Sequence, residues 1–118
     1  MTTLQKTRPG DYVLCMWPKN FEWRAYRVRS IVGGEKESFR SDLEFRPQTS
    51  AWASESVMVR TAECSVRNFG QIESGETPDE MNVILKELSA ALTNMRDEQK
   101  RARDRYVVLV SLLLPPPQ

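Results

Sequence analysis

From Tyr12 to Trp17 the chain runs through β-prone apolar residues without a polar interruption, so both faces of the segment are apolar, as in the first strand of a small closed or half-closed barrel. Pro18-Lys19-Asn20 breaks that strand, because proline has no amide hydrogen to donate to a ladder. A second strand is predicted from about Glu22 to Val32, with Tyr26 and Val28 on one face and Arg27 and Arg29 on the other; Gly33-Gly34 ends it. Phe39, Leu43 and Phe45 then alternate with Arg40, Asp42, Glu44 and Arg46, which puts the three apolar residues on one face of a third strand. A further strand from Ala51 to Arg60, bearing Trp52, Val57 and Val59, is divided by Ser54-Glu55-Ser56. Short strands spaced by roughly ten residues, with turn signals between them, predict a small five-stranded antiparallel β-barrel.

The period then changes. Thr77-Pro78-Asp79-Glu80 supplies a capping threonine, a proline for the first helical position, acids for the first turn and the glutamate of a capping box. Met81, Ile84, Leu85, Leu88, Ala91, Leu92 and Met95 recur at helical spacing and predict an amphipathic helix. Its continuation from Arg96 to Arg105 is almost wholly charged and is expected to project into solvent. Tyr106 to Leu114 extends this helix or forms a separate strand, and Pro115-Pro116-Pro117 stops either one. Cys64 to Phe69 adds an edge strand or joins Gly70 to Glu76 as a linker. The expected organisation is α+β: a polar N-terminus over 1–8, the barrel over 9–60, an edge strand or linker over 61–76, a C-terminal amphipathic helix over 77–105, and an apolar tail with its proline stop over 106–118.

Composition narrows the function classes. A chain of 118 residues, 40% hydrophobic and 28% charged, is one ordinary globular domain with a modest core. The net charge of +1 rules out a uniform polycation, yet residues 1–31 hold Lys6, Arg8, Lys19, Arg24, Arg27 and Arg29 against only Asp11 and Glu22. Histidine is absent, which removes the commonest general base and the commonest zinc ligand. No Cys-x-x-Cys pair, Walker loop, nucleophile elbow or Gly-x-Gly-x-x-Gly occurs, so a binding protein without metal or cofactor is expected rather than an enzyme. Cys15 and Cys64, with no apolar stretch behind Lys6 to act as a secretory leader, imply free thiols in a reducing intracellular setting. The apolar run from Tyr106 to Leu114 falls well short of the ~20 residues a membrane span requires. Leu112, Leu113 and Leu114 ahead of three prolines suggest a partner or a continuing chain.

Trp17, Phe21 and Trp23 crowd the tip between the first two strands, and large aromatics at a turn suggest a pocket as much as a core. The residues around them resemble the PWWP domain. In that family a Gly-Asp/Glu-φ-Val strand leads through a short arch to an aromatic-Trp-Trp-Pro-Ala-x-Val strand, and a later strand ending in Phe-Phe-Gly precedes an Ala-Trp-Val strand. Here Gly10-Asp11-Tyr12-Val13, Phe21-Glu22-Trp23-Arg24-Ala25, Glu44-Phe45-Arg46 and Ala51-Trp52-Ala53 occupy those places, over about residues 9–60. The Tyr-Val-Leu-Cys-x-Trp opening looks like the divergent PWWP domains of the melanoma-associated-antigen type, and Tudor and chromo-barrel domains share parts of the pattern. Asn20, Glu22, Arg24 and Glu44 stand where the family has aromatic, tryptophan, proline and aromatic residues.

The resemblance implies a nuclear, non-enzymatic chromatin-binding module that recognises a methylated histone lysine through an aromatic cage, with a histone tail or nucleosome as partner. Trp23 matches a cage residue, Phe21 and Phe45 lie one position from two others, and Trp17 is a substitute; each has a plain core role as its alternative. A cation over an aromatic face contributes about 0.5–2 kcal/mol. Lys19, Arg24, Arg27 and Arg29 are the candidates for auxiliary, salt-dependent contacts to DNA phosphates, or else a solvated strand face with scattered ion pairs. A second function class is a protein–protein adaptor that docks a partner or dimerises through Met81, Ile84, Leu88 and Leu92 or the apolar tail. A third is a β-barrel that binds nucleic acid non-specifically.

Overall fold

The computed structural model describes residues 6–33, 37–97 and 100–113. Strands β1 (Tyr12–Trp17) and β2 (Glu22–Val32) form an antiparallel hairpin in which Trp17 stands opposite Glu22. β3 (Ser38–Arg46) pairs with β2 and carries two short strands on its other side: β4 (Ala51–Ser54) along its C-terminal half and β5 (Met58–Arg60) along its N-terminal half. β6 (Ser65–Gly70) pairs with the free side of β1, so the order is β4-β3-β2-β1-β6 with β5 beside β3. Helices α1 (Asp79–Asp97) and α2 (Lys100–Leu113) follow. Neither helix is long and apolar enough to cross a membrane. The side chains of the basic run at 100–103, Gly34, and Leu114 with the three prolines lie outside the described residues.

This architecture corrects the expected five-stranded barrel. The sheet has six strands and is open, since no pairing joins β6 to β4 or β5, and two helices rather than one follow it. The apolar character of both faces of β1 has a cause other than barrel closure. Tyr12, Leu14 and Met16 point to one face, where Trp23, Ala25 and Phe45 meet Met81, Leu85 and Leu88 of α1 and Tyr106 and Val110 of α2. Val13 and Cys15 point to the other, where they pack with Tyr26, Val28, Phe39, Val59 and Cys64, and among the described residues no helical one joins this second cluster. Curvature covers it instead. Register shifts at Arg27/Val28 and Val28/Ser30 bend the β2–β3 pair, and β3 passes from β4 to β5 along its length, so the sheet wraps its own strands around this smaller core.

A buried hydrogen-bond knot holds the start of β1. The Asp11 carboxylate accepts the Arg8 amide at 3.0 Å, the Asn68 side chain at 3.0 Å and the Gln71 side chain at 3.2 Å, while the backbones of Gly10, Asp11 and Val28 close a second set of bonds at 2.7 and 2.8 Å. Gly10 sits at φ 95°, and a β-carbon there would come within 2.6 Å of the Gln71 side-chain oxygen. Asp11→Ala removes a buried acceptor from three donors on exposed residues, which water can reach in its place. A loss of about 1 kcal/mol is expected, read as a lower urea midpoint with an unchanged slope.

α1 begins after Thr77-Pro78, with Asp79 and Glu80 in its first turn. The Asn82 amide donates to the Pro78 carbonyl at 3.1 Å, and Arg67 of β6 reaches Glu80 at 2.6 Å while lying over the Phe69 ring at 4.8 Å. The Arg67–Glu80 pair joins the helical layer to the edge of the sheet. Its apolar stripe does most of the anchoring, because Met81, Leu85 and Leu88 are wholly buried.

Candidate functional site

The β1–β2 turn is where backbone geometry is least ordinary. Phe21 closes it at φ 55°, a left-handed conformation that bulky residues seldom adopt. Asn20 supports the turn from within, its amide donating to the Trp17 carbonyl at 3.3 Å and its side-chain oxygen accepting the Glu22 amide at 3.3 Å. The far end of the chain holds it from outside. The Tyr106 hydroxyl of α2 donates to the Phe21 carbonyl at 3.0 Å across 85 positions of sequence. A strained residue persists only where its surroundings over-determine it, and here a helix does so.

Beside the turn lies a cleft of about 380 Å³. That volume falls within the ~300–1,000 Å³ typical of sites for small groups. Phe21, Trp23 and Tyr106 supply aromatic surface, Leu92 of α1 and Pro47 supply aliphatic wall, and Asn20, Glu22 and Arg24 form the polar part of the lining. Trp23 is only 3% exposed, so it presents the base of the cleft rather than an open face. Burial raises the Tyr106 phenol above its ordinary pKa, against opposing effects from a hydrogen bond with the Trp23 side chain and from the Arg24 charge. The phenol therefore stays neutral and keeps its donor for Phe21.

Glu22 and Arg24 meet at 2.8 Å, and Arg24 also donates to the Trp23 carbonyl at 2.9 Å. Both side chains of the pair are well exposed, and such pairs contribute about 0–1 kcal/mol. A cation entering the cleft thus meets a carboxylate whose present partner is weakly held.

The four aromatics singled out from the sequence separate in space. Trp23 and Phe21 line the cleft. Phe45 stands behind Trp23, with ring centroids 6.2 Å apart, and continues into an aromatic row through Trp52 at 5.6 Å and Tyr12 at 5.2 Å from Trp52. Trp17 packs on the opposite face of the sheet, against the cluster of Val13 and Cys15. The basic residues also divide. Arg24 is engaged by Glu22, and Arg27 is held by Asp42 through two bonds of 2.8 and 2.9 Å. Lys19 is exposed in the turn, and Arg29 is exposed six residues beyond Trp23, about 20 Å along β2 at the rise of a strand. They form no single patch. Met81, Ile84 and Leu88 face the sheet, and Leu92 faces the cleft.

Sequence reasoning does not find Tyr106 or Pro47. The available signal for Tyr106 was its phenol at the head of an apolar run, since a buried tyrosine hydroxyl needs a partner. Cys15 and Cys64 are unlinked and in hydrogen-bond contact, which raises the Cys15 thiol and lowers that of Cys64. Among the described residues, no group of three or more histidine, cysteine or acidic side chains is placed to hold a metal.

No protein-family model, curated protein or solved structure matches the chain. The resemblance to PWWP domains, with its Tudor and chromo-barrel relatives, is corrected accordingly: the open sheet is not a closed reader barrel, and the chromatin, histone and DNA roles drawn from the resemblance lose that support. The residues that carried the resemblance have local duties. Gly10 and Asp11 serve the hydrogen-bond knot, and Phe45 and Trp52 belong to the core cluster or pack against it.

Proposed function

We propose that the chain is a non-enzymatic binding module whose hairpin cleft takes a cationic side chain with an apolar collar, best met by the methylated ammonium of a lysine in a partner protein. The observation that carries this reading is the joining of Phe21, Trp23 and Tyr106 around one cleft with the Glu22 carboxylate in its lining. Aromatic faces attract a cation through their quadrupoles and its methyl groups through contact. The Glu22 carboxylate adds an attraction that its exposure and its pairing with Arg24 keep modest. The partner is defined by this chemistry alone. Two unlinked thiols favour a reducing compartment, nuclear or cytosolic.

Calorimetric titration with three short peptides tests the proposal: one with trimethyl-lysine, one with unmodified lysine, and one with a neutral tert-butyl isostere of the trimethylammonium group. The trimethyl form is expected to bind about 5- to 10-fold more tightly than either, the share assigned to cation–π attraction. Phe21→Gly, which a φ of 55° accepts, and Glu22→Gln are each expected to weaken binding about 5-fold without unfolding the chain. Equal affinity for the trimethyl and tert-butyl peptides would sink the idea, because only the charge distinguishes them.

A further inference from the structure

We infer that Cys15 and Cys64 form a peroxide-responsive thiol pair: Cys64 is oxidised first, Cys15 resolves it, and the product is a reversible disulfide that fastens β1 to the entry of β6. The pair sits on the sheet face away from the hairpin cleft, whose role does not bear on it.

Strand register brings the two thiols together. Cys15 stands opposite Val66 in the β1–β6 pairing, and residues two apart along a strand share a face, so Cys64 falls on the Cys15 side of the sheet. Both belong to the smaller core cluster, unlinked yet in hydrogen-bond contact. Their surroundings differ. Cys15 has no exposed surface and is held in β1 between Arg24 of β2 and Val66 of β6. Cys64 is 5% exposed and ends the short connection between β5 and β6. Thr61 anchors that connection by donating its amide and its hydroxyl to the Glu37 carbonyl, each at 2.8 Å, but Ala62 and Glu63 are exposed and the turn is closed by the Cys64 amide on the Thr61 carbonyl at 3.3 Å. A turn of this kind opens more readily than a central strand, so a molecule as small as hydrogen peroxide reaches Cys64 before Cys15. The hydrogen bond between the thiols lowers that of Cys64 and, with burial, raises that of Cys15, which places the reactive thiolate on the more accessible sulfur.

The chemistry closes without a further reagent. The Cys64 thiolate attacks one peroxide oxygen, the O–O bond breaks, and the hydroxide released takes up a proton and leaves as water; Cys64 is then a sulfenic acid. The Cys15 sulfur attacks the Cys64 sulfur, the S–O bond breaks, and the second hydroxide leaves as water with the Cys15 proton. Two thiols are oxidised and one peroxide is reduced to two waters. Sulfurs already in contact reach the ~2.05 Å of a disulfide by a small movement of the turn, while β1 keeps its pairing. The bond ties residue 15 to residue 64 and so restricts the unfolded chain, which raises stability.

The folded full chain is treated with hydrogen peroxide at neutral pH without denaturant, quenched with catalase and alkylated with N-ethylmaleimide in urea, and its cysteine peptides are read by mass spectrometry. Wild type is expected to lose both alkylatable thiols to a Cys15–Cys64 linked peptide, to regain them in dithiothreitol, and to show a higher urea midpoint while oxidised. Cys15→Ala should stop at a Cys64 sulfenic acid, captured as a dimedone adduct. Cys64→Ala, a change at a surface turn, should slow the oxidation of Cys15 about 10-fold or more. A wild-type chain that keeps both thiols, or loses them only when urea is present, overturns the inference, as do disulfides between copies or a loss that dithiothreitol does not reverse. An unchanged or lowered midpoint overturns the fit of the bond to the folded chain. A dimedone adduct on Cys15 in Cys64→Ala, formed as fast as wild type is oxidised, overturns the assignment of Cys64 as the attacking thiol.

Discussion

Leu88→Glu is expected to unfold the chain or release its helical layer, the largest effect of any single substitution considered. Leu88 is wholly buried where α1 meets the sheet, among Leu14, Met16 and the other α1 apolar side chains. Removing it forfeits about 2–5 kcal/mol of packing. An unpaired carboxylate in the same place adds several kcal/mol more. Together these approach the entire ~5–15 kcal/mol stability of a typical domain. Urea denaturation followed by far-ultraviolet circular dichroism should find little or no folded baseline at neutral pH. Burial raises the carboxyl pKa of the variant in its folded form, so the ionisation part of the deficit is full only above that raised value, shrinks as pH falls from it toward the unfolded value of about 4.3, and is gone below that, leaving the packing loss. A stable, fully helical Leu88→Glu chain at pH 7 would show that α1 does not pack as described. The contrast with Leu112→Glu is informative: both replace leucine by glutamate on a C-terminal helix, yet one should remove the fold and the other, at a mostly exposed position, should leave it intact.

Trp23→Ala is expected to cost about 3–5 kcal/mol, read as a lowered urea midpoint. The ring fills the space between Phe45 and the cleft, and its side chain is hydrogen-bonded to Tyr106. Its loss opens a cavity beneath the turn and removes a contact of the tyrosine that holds Phe21. Ligand binding lost in this variant would therefore say little about the cleft, since the strained turn loses its support at the same time. A change smaller than about 1 kcal/mol, the scale of a surface substitution, would contradict the burial assigned to the indole.

Much of the local structure was legible in advance because it depends on short-range chemistry. The apolar run of β1, the break at Pro18 and the helical period of α1 each express a preference that needs few distant partners, whereas Phe39 and Phe45, expected on one face of β3, fall in the two opposite clusters because the register shifts against β2 switch the face between them. The site was legible only in part. Phe21 and Trp23 stand out as aromatics at a turn, whereas Tyr106 enters from 85 positions away and carries no local mark of that destination. The four basic residues look like one patch along the chain, but Asp42 and Glu22 engage two of them through contacts that depend on the sheet register and the turn.

Periodicity told that β1 would be buried on both faces and that α1 would bury one stripe. It did not tell against what, because a hydrophobic face is satisfied equally by a closed barrel, a helical layer or a curled sheet. Packing made that choice: the helices cover Leu14 and Met16, the bent β2–β3 pair covers Val13 and Cys15, and the sheet stays open. The same choice turned Leu88 inward and Leu112 outward. Burial is non-directional, so the pattern of apolar positions states the need for a partner, and only the assembled chain determines which partner meets it.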